Sequence, residues 1–238
     1  MSTILGMSVM KIFLTSDEIA QCIDFSHKSA RSQQQVEFGQ HDTLQRTFKE
    51  IARDNCIGKL AEVAFSKMMK QHFDLDIPLD FNIYPRGVWD DADANINGWR
   101  IDIKSTRPGA RWMLIEWNKL NFRQTERKPT HVFVMAVTDW DRQNDTPTGG
   151  VEFVGFVSRR RLKVGIPGTH VIRKGEYLPG KNVRLQADNF GIRFSDLDTD
   201  WKFMVSKLLE RTPAENTPTG HKNIWSRFFS WLARIFKP

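Results

Sequence analysis

Cysteine is scarce in this chain. Cys22 and Cys56 are its only two in 238 residues, and no histidine stands near either at metal-ligand spacing, so neither a zinc site nor a disulfide framework follows. The six histidines form no His-Glu-x-x-His, and there is no glycine-rich phosphate loop of the NTPase or dinucleotide type. No apolar run approaches the length of a membrane span, and no internal repeat is visible. What remains is a globular chain, 40% hydrophobic and 26% charged, large enough for one well-filled core. Free thiols and the lack of a signal peptide lead to the expectation of a cytoplasmic setting. The formal net charge of +7 invites a nucleic-acid reading. Its distribution weakens that inference, because residues 211–238 hold five basic residues against Glu215 and leave the first 210 only mildly basic.

The most informative stretch is Trp89 to Thr106, WDDADANINGWRIDIKST. Asn97-Gly98 between two short alternating runs predicts a two-residue hairpin, since both turn positions need positive φ. The expected register pairs Ile96 with Trp99, Asn95 with Arg100, Ala94 with Ile101, Asp93 with Asp102, Ala92 with Ile103 and Asp91 with Lys104. One face is then Ala92, Ala94, Ile96, Trp99, Ile101 and Ile103. The other is Asp91, Asp93, Asn95, Arg100, Asp102 and Lys104. Carboxylates placed opposite each other, Cβ atoms roughly 4.5–5.5 Å apart, repel unless a cation lies between or beside them. Lys104 and Arg100 can supply part of that charge, and oxygen ligands converging at this spacing suit magnesium or manganese. A hairpin with a water-screened polar face is the plainer alternative.

A helix is expected from about Thr43 to His72. Within it Gly58, Ala61, Glu62 and Phe65 share one stripe. The small residues would let that stripe approach the sheet and aim Glu62 into the contact, where a buried carboxylate needs a partner or a metal. An exposed Glu62 bonded to Lys59 is the alternative.

Together these residues resemble the PD-(D/E)XK, or restriction-endonuclease-like, superfamily: Gly-x-x-x-Glu on a helix, an Asp at the head of a strand, then Asp-x-Lys on the next. On that pattern Glu62 is the helix acid, Asp93 the first strand acid, and Asp102 with Lys104 the Asp-x-Lys pair. Ala92 stands where proline is common before the first acid, and Asp91 competes with Asp93 for its role. The resemblance covers roughly residues 40 to 140. It implies an α/β (α+β) fold, a restriction-endonuclease-like core with a central mixed sheet flanked by helices. It also implies a metal-dependent endonuclease acting on nucleic acid, DNA before RNA. Asp93, Asp102, the Ile103 carbonyl and Glu62 would hold Mg2+ or Mn2+, Lys104 would position or deprotonate the attacking water, and the products would carry 5′ phosphate and 3′ hydroxyl. Phage defence or mobile-element conflict follows by analogy alone, as does a homodimer. The same fold without catalysis would be a nucleic-acid-binding module.

Around this core, Lys11 to Leu14 reads as a strand and Thr15-Ser16-Asp17-Glu18 as a capping-box start to a helix through about Ala30. Ser32 to Gln40 reads as a loop. Met113–Glu116, 131–138 and Val151–Ser158 are strand-like, and the second is apolar enough for the sheet centre. Asp139 to Gly150 reads as a turn-rich connection, Val164 to Phe194 as extra strands or a loop-rich layer, and Asp198 to Glu210 as a closing helix. Nucleic-acid contacts are sought at Ser105, Thr106 and Arg107, placed just past the strand end, and at Arg159, Arg160 and Arg161; a turn and a solubility role are the respective alternatives. Arg46, Lys49 and Arg53 read as a solvated helix face ahead of phosphate contacts. The polar, basic segment 118–130 reads equally as a substrate-facing element or as exposed surface.

The expected organisation is an N-terminal strand and helix extension over 1–39, the nuclease-like domain over 40–210, a linker over 211–222, and a basic amphipathic helix over 223–238. In that last segment Ile224, Trp225, Phe228, Phe229, Trp231, Leu232, Ile235 and Phe236 fill one sector, and Ser226, Arg227, Ser230, Arg234 and Lys237 the other. Such a helix lies in a membrane interface, docks a partner groove, or packs on its own domain. A membrane or partner adaptor acting through it is therefore the remaining alternative function.

Overall fold

The computed structural model describes residues 10–34, 47–84, 92–117, 130–164, 170–180 and 182–210. Arg46, Asp91, most of the 118–130 segment and both tail segments, 211–222 and 223–238, lie outside them. The described residues form a mixed α/β fold. Five strands, in the order β1-β6-β5-β3-β2, make the main sheet: β1 (Met10–Phe13), β2 (Ala94–Ile96), β3 (Trp99–Thr106), β5 (Val132–Asp141) and β6 (Thr146–Ser158). A smaller sheet is ordered β4-β8-β7, from β4 (Trp112–Glu116), β7 (His170–Ile172) and β8 (Asn189–Arg193). The helices are α1 (Ser16–Gln34), α2 (Phe48–Phe73), α3 (Arg159–Val164) and α4 (Trp201–Glu210). None of the described helices is long and apolar enough to cross a membrane.

Local chemistry explains the ends of these elements. Thr15 accepts from the Glu18 amide at 3.2 Å while the Glu18 carboxylate accepts from the Thr15 amide at 2.6 Å, the reciprocal box expected there. The same device, Thr47 with Glu50, opens α2 later than the predicted Thr43, and Asp74 in the left-handed region closes it. Lys49 and Arg53 reach Asp145 in the β5–β6 turn, at 3.0 Å and 3.8 Å, which ties the helix to that turn.

Two cores result, one on each side of the main sheet. On one side Leu60, Ala64, Phe65 and Met68 of α2 and Trp201, Met204 and Leu208 of α4 pack on Ile101, Ile103, Val134 and Ala136. On the other, Phe133, Met135 and Val157 meet Met113, Ile115, Phe190 and Ile192 of the small sheet. Strand β5 thus buries both its faces, as a continuous apolar run in a sheet centre should. It lies parallel to β3 and antiparallel to β6. The 139–150 connection proves to be mostly strand, because β5 and β6 extend their pairing as far as Asp141 and Thr146. The N-terminal segment is built into the same body, with β1 antiparallel to β6 and buried Cys22 of α1 in the α2 core.

Gly58 has a different role from the one its sequence position implies. A Cβ built there meets no atom within 4 Å, so close approach to the sheet rests on Ala61, which is fully buried. A helix-interior glycine without a packing duty only weakens the helix. Replacing Gly58 with alanine should therefore stabilise the chain by about 0.5–1 kcal/mol in urea unfolding; a loss of stability would show that the glycine serves a contact.

Candidate metal centre

The hairpin forms as its turn demands. Asn97 and Gly98 have φ of 48° and 81°, and the pairs Ile96–Trp99, Asn95–Arg100 and Ala94–Ile101 are those expected. Asn97 also donates to the Leu208 carbonyl of α4 at 3.3 Å, which anchors the turn to a helix end. The ladder then stops one pair short of the acids. In regular alternation the Ile103 amide would go to the Ala92 carbonyl. Instead the carboxylate of Asp93 takes it, Ile103 N to Asp93 Oδ2 at 2.5 Å. This is a correction to the predicted register: Asp93 sits in a bend before β2, and its side chain replaces a main-chain acceptor on the β3 edge. Since the N–H and C=O of one strand residue point to the same side, the Ile103 carbonyl faces the opening beside Asp93.

Asp102 and Lys104 lie on β3 in register with Phe133 and Met135, on the side of the sheet that the small sheet covers. Lys104 Nζ donates to Asp102 Oδ1, and the two side chains keep 22% and 14% of their exposure. Arg100, expected to share this duty, is instead buried at the start of β3. Its amide donates to Nδ1 of His131 at 3.0 Å, and the His131 amide returns a bond to the Arg100 carbonyl at 2.8 Å. Burial and the charges of Arg100 and Arg159 hold the His131 imidazole down at about 4, so it is neutral and free to accept that bond.

Both sequence expectations for Glu62 hold in part. Its side chain is 18% exposed and is bonded to Lys59, which is itself buried. Lys59 also donates to the Asp80 carbonyl at 2.7 Å and lies over the rings of Phe25 and Phe81, 4.5 Å and 5.3 Å from their centroids. Such a cage fixes the ammonium, and the ammonium in turn fixes Glu62. Lys59 is the site residue that sequence reasoning used only as a rival explanation; its signal was the spacing of three to Glu62 beside an otherwise apolar face.

Asp93 is where these charges meet. Burial, then the neighbouring charges of Asp102 and Glu62, push its carboxyl up to about 8; the Ile103 amide and Lys104 oppose them. Asp93, Asp102 and Glu62 therefore share one electrostatic neighbourhood. Among the described residues, no three His, Cys, Asp or Glu side chains are gathered closely enough to hold a metal ion by themselves. A set of two carboxylates and a main-chain carbonyl has only two such side chains, and its donors are all hard oxygens of the kind magnesium and manganese take. The negative charges of Asp102 and Glu62 acting on Asp93 favour a divalent cation there on the same grounds.

The remaining candidates are scattered. Strand β3 runs through Thr106, so Ser105 and Thr106 are partly buried strand residues paired beside Ala136 and Val137, not the start of a loop. Arg107 follows in the connection to β4. Arg159 is buried, Arg161 is partly exposed and faces Asp198 at 3.3 Å, and Arg160 is exposed. Three arginines that begin a helix point in different directions, so they do not form one clamp. Cys22 and Cys56 are free and buried, with burial pushing both thiols up, to about 12 and about 11. No family model, no curated protein and no solved structure matches this chain.

The elevated Asp93 value carries a sign. The folded chain holds a proton there that the unfolded chain, with an ordinary value of 3.8, has released, so this group makes stability fall as pH rises from about 4 through about 8. His131 acts oppositely, but only up to about its ordinary 6.5. In EDTA, Asp93→Asn should therefore melt higher than the native chain at pH 8, with the gap shrinking towards pH 5. A variant that melts lower at pH 8 would contradict the crowded-carboxylate geometry.

Proposed function

We propose that this chain is a metal-dependent nuclease that hydrolyses phosphodiester bonds through Asp93, Asp102, Glu62 and Lys104. The observation that carries the reading is Asp93, held by the Ile103 amide at 2.5 Å and crowded by Asp102 and Glu62, with Lys104 two residues beyond Asp102 on the same strand and bonded to it. The resemblance to the PD-(D/E)XK superfamily supports the same reading, including a restriction-endonuclease-like core.

Asp93, Asp102 and the Ile103 carbonyl would hold magnesium or manganese, with Glu62 at its margin. When bound, the ion supplies charge neutralisation for the scissile phosphate and its leaving oxygen, and lowers the energy of a hydroxide nucleophile. The chain's own part is orientation. An ammonium has three protons, so Lys104 can give one to Asp102 and direct another at the attacking water or a phosphate oxygen. Ile103, buried beneath the helix layer, fixes the carbonyl, and the Lys59 cage fixes Glu62. No covalent nucleophile is required.

A nucleic-acid binder without catalysis is favoured by one observation: Asp102 and Glu62 are each already tied to a lysine. The two readings separate on supercoiled plasmid, linear duplex, single-stranded DNA and RNA, each with magnesium, manganese or EDTA. The nuclease reading expects metal-dependent cleavage that falls at least a hundredfold in Lys104→Ala while its melting temperature stays within a few degrees. Cleavage at native rate by that variant, or in EDTA, would overturn it.

A further inference from the structure

The positive charge of this protein is concentrated in one segment. Residues 159–193, which contain α3, β7 and β8, hold nine lysines and arginines against two acids, an excess equal to the formal net charge of the whole chain, +7. Apart from this segment and residues 211–238, the chain is net acidic. The segment supplies two of the three strands of the small sheet. One face of that sheet is spent on the core through Met113, Ile115, Phe190 and Ile192.

The opposite face carries Trp112. Its neighbours across the strands are His170, ring centroids 5.2 Å apart and nearly perpendicular, and Arg193, whose guanidinium lies 5.3 Å from the ring. Gly191 stands between them in register with His170. A Cβ there would lie 3.0 Å from Ile172 Cδ1 and 3.5 Å from the Trp112 ring, so the missing side chain lets the indole lie low across the sheet. His170 and Arg193 are exposed, as is Arg111 beside Trp112. Within the same basic segment Tyr177, 60% exposed, bridges to Arg184.

A half-buried indole that lies against Gly191 and is flanked by exposed arginines, in a stretch of sequence with a strong basic excess, suits an unpaired base, which stacks on an aromatic ring while neighbouring cations hold its phosphates. A duplex, with its bases stacked on each other, has no free face to offer the indole. We infer that the outer face of β4-β8-β7 binds an unpaired nucleic-acid strand, with Trp112 as the stacking platform and Arg193 and Arg111 as phosphate contacts. The inference deepens the nuclease reading and rests on it for the choice of nucleic acid among polyanions. The placement suits that reading. The small sheet packs on Phe133 and Met135, the residues in register with Asp102 and Lys104. Trp112 follows Thr106 by six residues, so their Cα atoms lie at most about 22 Å apart.

The test is fluorescence anisotropy of the full chain in EDTA, with a labelled single-stranded DNA oligonucleotide, the same sequence as duplex, and heparin as competitor. Native chain, Trp112→Ala, Trp112→Phe, Arg193→Ser and Lys202→Ala are compared. Trp112→Ala should weaken single-strand binding about 5- to 100-fold, Trp112→Phe should restore most of it, and Arg193→Ser should weaken it and flatten its salt dependence. Lys202→Ala, which removes one exposed charge from α4, should bind as the native chain does, and binding is read in EDTA without cleavage, so a failed cleavage assay and a failed binding surface are told apart. Equal single-strand affinity in native, Trp112→Ala and Arg193→Ser chains would overturn the inference. So would a preference for duplex, or heparin competing as well against Trp112→Ala as against native chain, which would mark a general polyanion surface. If Trp112→Ala does not fold by circular dichroism, Trp112→Phe and the exposed Arg193→Ser decide the matter alone.

Discussion

The site depends on one substitution of acceptors: a side-chain carboxylate, Asp93, sits where a main-chain carbonyl would continue the β2–β3 ladder. That exchange does two things at once. It satisfies the Ile103 amide, which would otherwise be orphaned at the sheet edge, and it commits a carboxylate to a place beside Asp102 and Glu62. The bond favours the charged form of Asp93, yet burial and the neighbouring acids outweigh it. A polar group held in so unfavourable a setting, where local stability is spent on a charge cluster, is a recurrent mark of function.

Around it the fold supplies rigidity from three directions. The Asn97-Gly98 turn is bonded to the end of α4, β5 lies in the sheet centre beside β3, and Lys59 is wedged between Phe25 and Phe81. Each is tied into the packed body, which is the kind of support that would hold the proposed catalytic groups within a fraction of an ångström. The small sheet closes the other side and presents the exposed Arg111 and Arg193 on its outer face. On the proposed reading, acidic site and basic flank would be complementary, since an acidic cluster repels the polyanion that a basic surface attracts.

Much of this was legible in local sequence. The turn residues set the hairpin register, the unbroken apolar run of β5 announced a strand buried on both faces, and the Thr15/Glu18 box marked the start of α1. Other features were not. Departure of Asp93 from the ladder depends on a side chain outcompeting a carbonyl, which alternation alone cannot express. Gly58 looked like a close-approach residue, but only the packed helix shows that Ala61 does that work. Pairing of β4 with β8 joins residues some 75 positions apart, and loop closure over that distance leaves no periodic trace in either strand. Trp112 was hidden for the same reason, because its neighbours His170 and Arg193 come from β7 and β8. Ser105 and Thr106 were placed one step too early as loop residues, since the parallel pairing with β5 carries β3 further than its hairpin partner does.

The central claim is that Asp93, Asp102 and the Ile103 carbonyl form a divalent-cation site. Its most direct test is a titration of Mn2+ into the full chain, with free ion read by electron paramagnetic resonance, beside Asp102→Asn. The account predicts one or two ions taken up by the native chain, displaced by Mg2+, and a loss of at least tenfold in affinity in the variant. Equal uptake by both chains, or none by the native chain, would contradict it.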